Sequence, residues 1–84
     1  MNETIMSQYM AKKFKERRKE LGLSQKEVAA IINRSISIVS KSENSFSIGL
    51  HEMFRIGRDI YGFDMLALLD EAEAYSNQFE EVEK

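Results

Sequence analysis

The residue types in this sequence that could do chemistry are few, and they suit binding better than catalysis. The single histidine, His51, stands on a stretch whose neighbours Leu50, Met53 and Phe54 read as structural, which makes it a surface histidine. There is no H-E-x-x-H, no C-x-x-C, no phosphate-cradling glycine loop and no pairing of a nucleophile with a base. Asp64, Asp70 and Glu71 lack the oxygen-rich spacing of a calcium loop. The sequence therefore reads as a non-enzyme that needs neither metal nor cofactor. Charge and hydrogen bonding remain. Residues 1–44 hold nine basic and five acidic groups and residues 45–84 hold three basic and nine acidic ones, so the net charge of −2 conceals a basic half and an acidic half. Such a split implies an electropositive face open to a polyanionic partner, together with an acidic tail. A solvated face that binds nothing is the alternative on charge alone.

The elements that must carry these groups are helices. With 84 residues the chain suits one small domain, whose thin stability margin would gain from a partner subunit. The absence of cysteine leaves no disulfide framework and no thiolate metal site. No uncharged run approaches the ~20 residues that span a bilayer, and the opening residues lack the basic start and apolar stretch of a signal peptide. A soluble, cytoplasmic protein without a membrane role is the expectation.

Apolar periodicity divides the chain into five short helices. The first runs from Tyr9 to about Leu21, with Met10, Phe14, Arg17 and Leu21 recurring at helical spacing and Gly22 as its stop. Ser24-Gln25-Lys26-Glu27 has the S-x-x-E form of a capping box, which predicts a second helix reaching Asn33 with Leu23 and Val28 as a hydrophobic staple. Ser35 caps a third helix running to about Asn44. Its Ile36-Ser37-Ile38 alternation would also suit a strand, but a lone strand would leave its backbone groups unpaired. Ile48 to Tyr61 forms a fourth helix stopped by Gly62, and Asp64 caps a fifth that contains Met65, Leu66, Leu68 and Leu69. Residues 1–8 read as a flexible arm, 9–75 as the folded domain and 76–84 as an acidic, frayed tail.

The second and third helices are each about eight residues long, with a turn at Asn33-Arg34 between them. Ala29 lies where two steeply crossing helices need a small side chain, and Val39 faces inward ten residues later. This is a helix-turn-helix pattern. The segment from Phe14 through Leu21-Gly22-Leu23-Ser24-Gln25 to Ala29, followed by Ser35, Ser37, Val39, Ser40, Lys41, Glu43 and Asn44, resembles the phage repressor and Cro-type helix-turn-helix family, the XRE-like transcription regulators. The resemblance covers about 50 of the 84 residues and implies an all-α, compact five-helix, lambda-repressor-like domain. It is specific for the fold and says less about the target. Three departures from the family pattern stand out. Ser42 replaces an aliphatic core residue, the leading contact positions lack Gln, Asn and Arg, and Gly57-Arg58 is about one residue off the usual spacing.

The resemblance also implies roles. Gln25 would hydrogen-bond a phosphate at the amino end of the second helix. Arg34, Ile36, Ser37, Ser40 and Lys41 would form the face presented to DNA, with Asn44 as a backbone contact. Ser37 can donate or accept at a base edge, Lys41 can reach a guanine or a phosphate, and Ile36 can pack on a thymine methyl. Arg18 and Glu43 match a structural salt bridge that orients the third helix. Phe63, Met65, Leu66 and Leu69 would pair two copies, because operators are normally read by paired domains one helical turn apart. The expected function is a transcriptional repressor that binds an inverted-repeat operator in double-stranded DNA as a homodimer. An antitoxin-like or antirepressor-like protein-binding module on the same fold is the alternative. A broad exposed apolar patch joining Ile36 to Phe46 would favour that protein partner.

Overall fold

The computed structural model describes residues 3–83, and among them every regular element is helical. Met1, Asn2 and Lys84, which the sequence reading places in the arm and the tail, lie outside the described residues. Helix α1 spans Glu3–Glu20, α2 Gln25–Ile32, α3 Ile36–Asn44 and α4 Leu50–Phe54. The last runs on without a break as a π-helical stretch over Arg55–Ile60, and α5 spans Met65–Glu83.

The turns on either side of α2 are built alike. Gly22 adopts φ +72° while its N–H bonds the Lys19 carbonyl and the Leu23 N–H bonds that of Arg18. Asn33 repeats this at φ +55°, its N–H bonding Ala30 and the Arg34 N–H bonding Ala29. Each is a Schellman motif, which satisfies the last carbonyls of one helix and sets the direction of the next. The start of α2 is closed by both halves of the capping box, with Ser24 Oγ accepting from the Glu27 N–H at 3.0 Å and Glu27 Oε1 accepting from the Ser24 N–H at 2.9 Å. The backbone N–H and then the hydroxyl of Ser24 hold the Glu27 carboxyl below its ordinary range. Ser35 holds the N-cap backbone conformation of α3 but makes no side-chain cap; its Oγ meets Ser37 Oγ at 2.7 Å instead. Asp64 does cap α5, accepting from the Ala67 N–H.

The core gathers one or more residues from every helix around Phe14, which is fully buried. Phe46 and Tyr61 meet its ring edge-on at 5.0 and 5.3 Å, and Phe63 stacks on it at 5.8 Å. Phe46 reaches this position from a loop conformation at φ +53°, which bulky residues rarely adopt. Val28, Ala29, Ile32, Val39, Ile56, Met65 and Leu68 complete the interior. Ser42 is also fully buried, in the place where an aliphatic residue would be expected. Its hydroxyl donates to the Val39 carbonyl at 2.6 Å, which satisfies it within α3. Leu50, expected to be structural, points outward.

Two segments differ from the sequence expectation. Residues 3–8, read as an arm, form the first turns of α1, and residues 76–83, read as a frayed tail, continue α5. Helices α1 and α5 pack against each other, with Tyr9 against Tyr75. Ala72 and Ser76, both fully buried and one turn apart, provide the small side chains that such close packing needs.

Gly57 is the most closely hemmed in of the four glycines. A Cβ placed there would lie 2.6 Å from Met65 Sδ and 2.8 Å from Phe14 Cζ. The expected outcome for Gly57→Ala is a loss of about 1–3 kcal/mol from overpacking, read as a Tm lower by several degrees in thermal denaturation followed by circular dichroism.

Candidate nucleic-acid interface

The site is organised from beneath by a buried ion pair. Arg18, in the last turn of α1, donates to Glu43 through Nε at 2.7 Å and Nη2 at 3.0 Å, and its Nη1 donates to the Leu23 carbonyl at 2.8 Å. The Glu43 side chain is 1% exposed and that of Arg18 12%. This fork-on-fork pairing is strong and directional, and the bonds from Glu43 hold the guanidinium charged beyond its usual range. The expected strut is present. A third member was not legible in the sequence: Gln25 Nε2 also donates to Glu43 Oε1, at 3.2 Å. The first residue of α2 is thus tied to the carboxylate near the end of α3. One amide hydrogen of Gln25 is engaged, and the other remains for an external acceptor.

Above this base, α3 turns five of the singled-out residues the same way. Ile36, Ser37, Ser40, Lys41 and Asn44 recur at intervals of one, three or four, so they share one side of the helix opposite the buried Val39. Ile36 is 46% exposed, and Ser37, Lys41 and Asn44 are exposed. Ser40 is half-buried and accepts a hydrogen bond from Asn44 Nδ2 at 3.0 Å. Ile38 leans against the core, and Phe46 is folded onto Phe14. Both are thus partly covered, which narrows the apolar surface between Ile36 and Phe46.

Arg34 stands at the edge of this face, but its Nε reaches Glu52 Oε1 on α4 at 3.5 Å. Its charge is partly offset within the molecule. Arg17, on the periodic stripe of the first helix, and Arg55 have no role at the site that the sequence assigns, yet both hold its frame. Arg17 Nε donates to the Tyr61 carbonyl at 2.8 Å, and Arg55 Nη1 donates to the Ile32 carbonyl at the end of α2, at 2.9 Å. A polar residue on an otherwise apolar stripe was the one available signal, and it does not reveal which carbonyl is reached. Lys12, Lys15, Lys19, Lys26 and Lys41 are exposed, Lys13 lies over the Tyr9 ring, and the exposed Arg58 is paired with its neighbour Asp59.

The four residues expected to pair two copies differ widely in exposure. Leu66 is 76% exposed, Phe63 and Leu69 are half-buried against the core, and Met65 is buried at 4%. Met65 is therefore a core residue, pressed against Gly57, and cannot offer its side chain to a partner. His51 is exposed. Among the described residues no group of three or more histidine, aspartate or glutamate side chains is placed to hold a metal ion, and no helix is long and apolar enough to cross a membrane.

Beneath the ion pair, the Tyr61 hydroxyl is buried with no hydrogen-bond partner among the described residues. Burial, and then the nearby Glu43 carboxylate, push the phenol above its ordinary range.

Two outcomes follow from this geometry. Arg18→Ala leaves a buried carboxylate without its cation and is expected to cost roughly 3–5 kcal/mol, measurable by urea denaturation. Tyr61→Phe removes an unpartnered hydroxyl while keeping the ring contact with Phe14, so the same measurement should show stability unchanged or raised. A clear loss would mean that the hydroxyl is bonded in solution.

Compared with protein-family models, with characterised proteins and with solved structures, the chain shows no match.

Proposed function

We propose that this protein is a sequence-specific DNA-binding regulator of the helix-turn-helix type, acting as a transcriptional repressor on an inverted-repeat operator as a homodimer. The observation that carries the reading is the outward face of α3. It presents Ile36, Ser37, Ser40, Lys41 and Asn44 together, while the neighbouring large apolar residues, Ile38 and Phe46, are half-buried against the core. In this arrangement α3 enters the major groove and α2 lies across the phosphate backbone.

The chemistry of each group fits that placement. Ile36 meets a thymine methyl, and Ser37 exchanges its bond with Ser35 for one to a base edge. Lys41 reaches guanine or phosphate. Gln25 uses its remaining amide hydrogen on a phosphate, with Glu43 fixing its orientation. Because Arg34 is partly committed to Glu52, the face relies on shape and hydroxyl groups more than on charge. Such a small module buries only about 600–1,000 Å² on DNA, which favours a second copy. Leu66, the most exposed of the large apolar residues on α5, is the first candidate for the contact between copies. Repression then follows from occupying or remodelling the site that RNA polymerase would use, with no cofactor involved.

Selection of bound duplexes from a random pool at about 0.1 M salt, with light scattering in parallel, tests this reading. It should recover an inverted repeat with half-site centres about 34 Å apart, bound by a dimer. Retention that is blind to sequence and lost with salt would indicate charge attraction alone. A folded protein that enriches nothing would favour the antitoxin-like, protein-binding reading. On the selected duplex, Lys41→Ala should weaken binding and lower the salt slope by about 1. Gln25→Ala should cost about 2- to 10-fold in affinity and, because it also removes one of the three bonds to the buried Glu43 carboxylate, lower the Tm without unfolding the protein. Unchanged affinity in both variants would mean that the assigned face is wrong.

A further inference from the structure

The outward face of α3 does not end at Asn44. It opens into a shallow notch of about 390 Å³ lined by Asn44 and Ser45 together with Thr4, Ser7 and Gln8 from the first turns of α1. All five lining side chains are uncharged and carry a hydrogen-bonding group. Thr4, Gln8, Asn44 and Ser45 are exposed, and Ser7 is half-buried. Asn44 spends one amide hydrogen on Ser40, and the Ser45 hydroxyl reaches back to the Lys41 carbonyl at 3.5 Å. The side chains of Thr4, Ser7 and Gln8 make no hydrogen bond to another described residue, so the fold gives them no internal task. Among the described side chains, no carboxylate lines the notch to repel an anion.

We propose that this notch is a second backbone contact, which takes a DNA phosphate immediately outside the base pairs read by α3. The proposal rests on the DNA-binding reading above and extends it to the beginning of α1. A phosphodiester offers only acceptor oxygens, and hydroxyl and amide groups of the kind gathered here are common donors to it. The notch is too open to enclose a small molecule, and it is continuous with the recognition face through Ser40 and Asn44. Its neutrality gives it a distinctive signature. Cationic contacts release counterions and make affinity depend on salt. Neutral donors add affinity without changing that dependence, and because they touch the backbone they add it equally for every sequence.

The test uses the double variant Thr4→Val, Gln8→Ala on the selected operator and on an unrelated duplex, by fluorescence anisotropy at several salt concentrations. Both side chains are exposed and unbonded, and an unchanged Tm checks that the variant folds. The expected result is binding about 10-fold weaker, by the same factor on both duplexes, with the slope of log affinity against log salt unchanged. A single neutral methylphosphonate at the flanking phosphate should weaken the wild-type protein and leave the double variant unaffected. If the wild type binds its operator and the double variant binds equally well, the notch is not a contact. A loss accompanied by a lower salt slope overturns it too, because the missing interaction would then be cationic. If the wild-type protein binds no duplex, the parent reading fails and this one with it.

Discussion

The pairing of Arg18 with Glu43 is the constraint on which the arrangement of the first three helices depends. A carboxylate 1% exposed to solvent is tolerable only if its oxygens are occupied, and here they receive two bonds from one guanidinium and a third from Gln25. The same guanidinium holds the Leu23 carbonyl in the turn before α2. One ionic group therefore touches α1, the first turn, the start of α2 and the end of α3. Two Schellman turns fix the local directions of the chain, and the ion pair fixes how those directions close on one another. The outward side of α3 is presented in a defined orientation because its inward side is held at both Val39 and Glu43.

The interior around this pair accommodates departures that would be costly elsewhere. Ser42 fills an apolar position by bonding within its own helix, so its hydroxyl brings no unpaired group into the core. Phe46 accepts an unfavourable backbone conformation, and its ring closes one side of Phe14. The π-helical stretch places Ile56 and Gly57 inward together, and the missing side chain at Gly57 admits both Phe14 and Met65. Each is a local cost offset by contacts converging on the same phenylalanine.

The sequence made these helices legible to different degrees. The limits of α2 and α3 could be read closely, because Ser24 with Glu27, Asn33 and Asn44 are local signals whose meaning does not depend on distant residues. The shared face of α3 followed from spacing alone. The ends of α1 and α5 were not readable. Residues 3–8 and 76–83 look polar and loose in sequence, and no local signal in them marks the helices that they extend. The π-helical stretch and the conformation of Phe46 likewise arise from tertiary contact. At the site, the type of each residue suggested what it could do, whereas its partner did not appear. The bonds from Gln25 to Glu43, Arg34 to Glu52 and Arg55 to the Ile32 carbonyl each join residues 18 or more positions apart.

The basic residues divide by kind. All five arginines donate to a carbonyl or a carboxylate of the chain, and three of them hold a backbone carbonyl in another part of the fold. The described lysines stand at the surface, with no hydrogen bond to another described residue. The planar guanidinium serves as a joint between segments, and the ammonium supplies mobile surface charge. Amine acylation would thus strip this molecule of most of its outward positive potential while leaving its internal joinery intact, so that fold and electrostatic reach are chemically separable properties of the same chain.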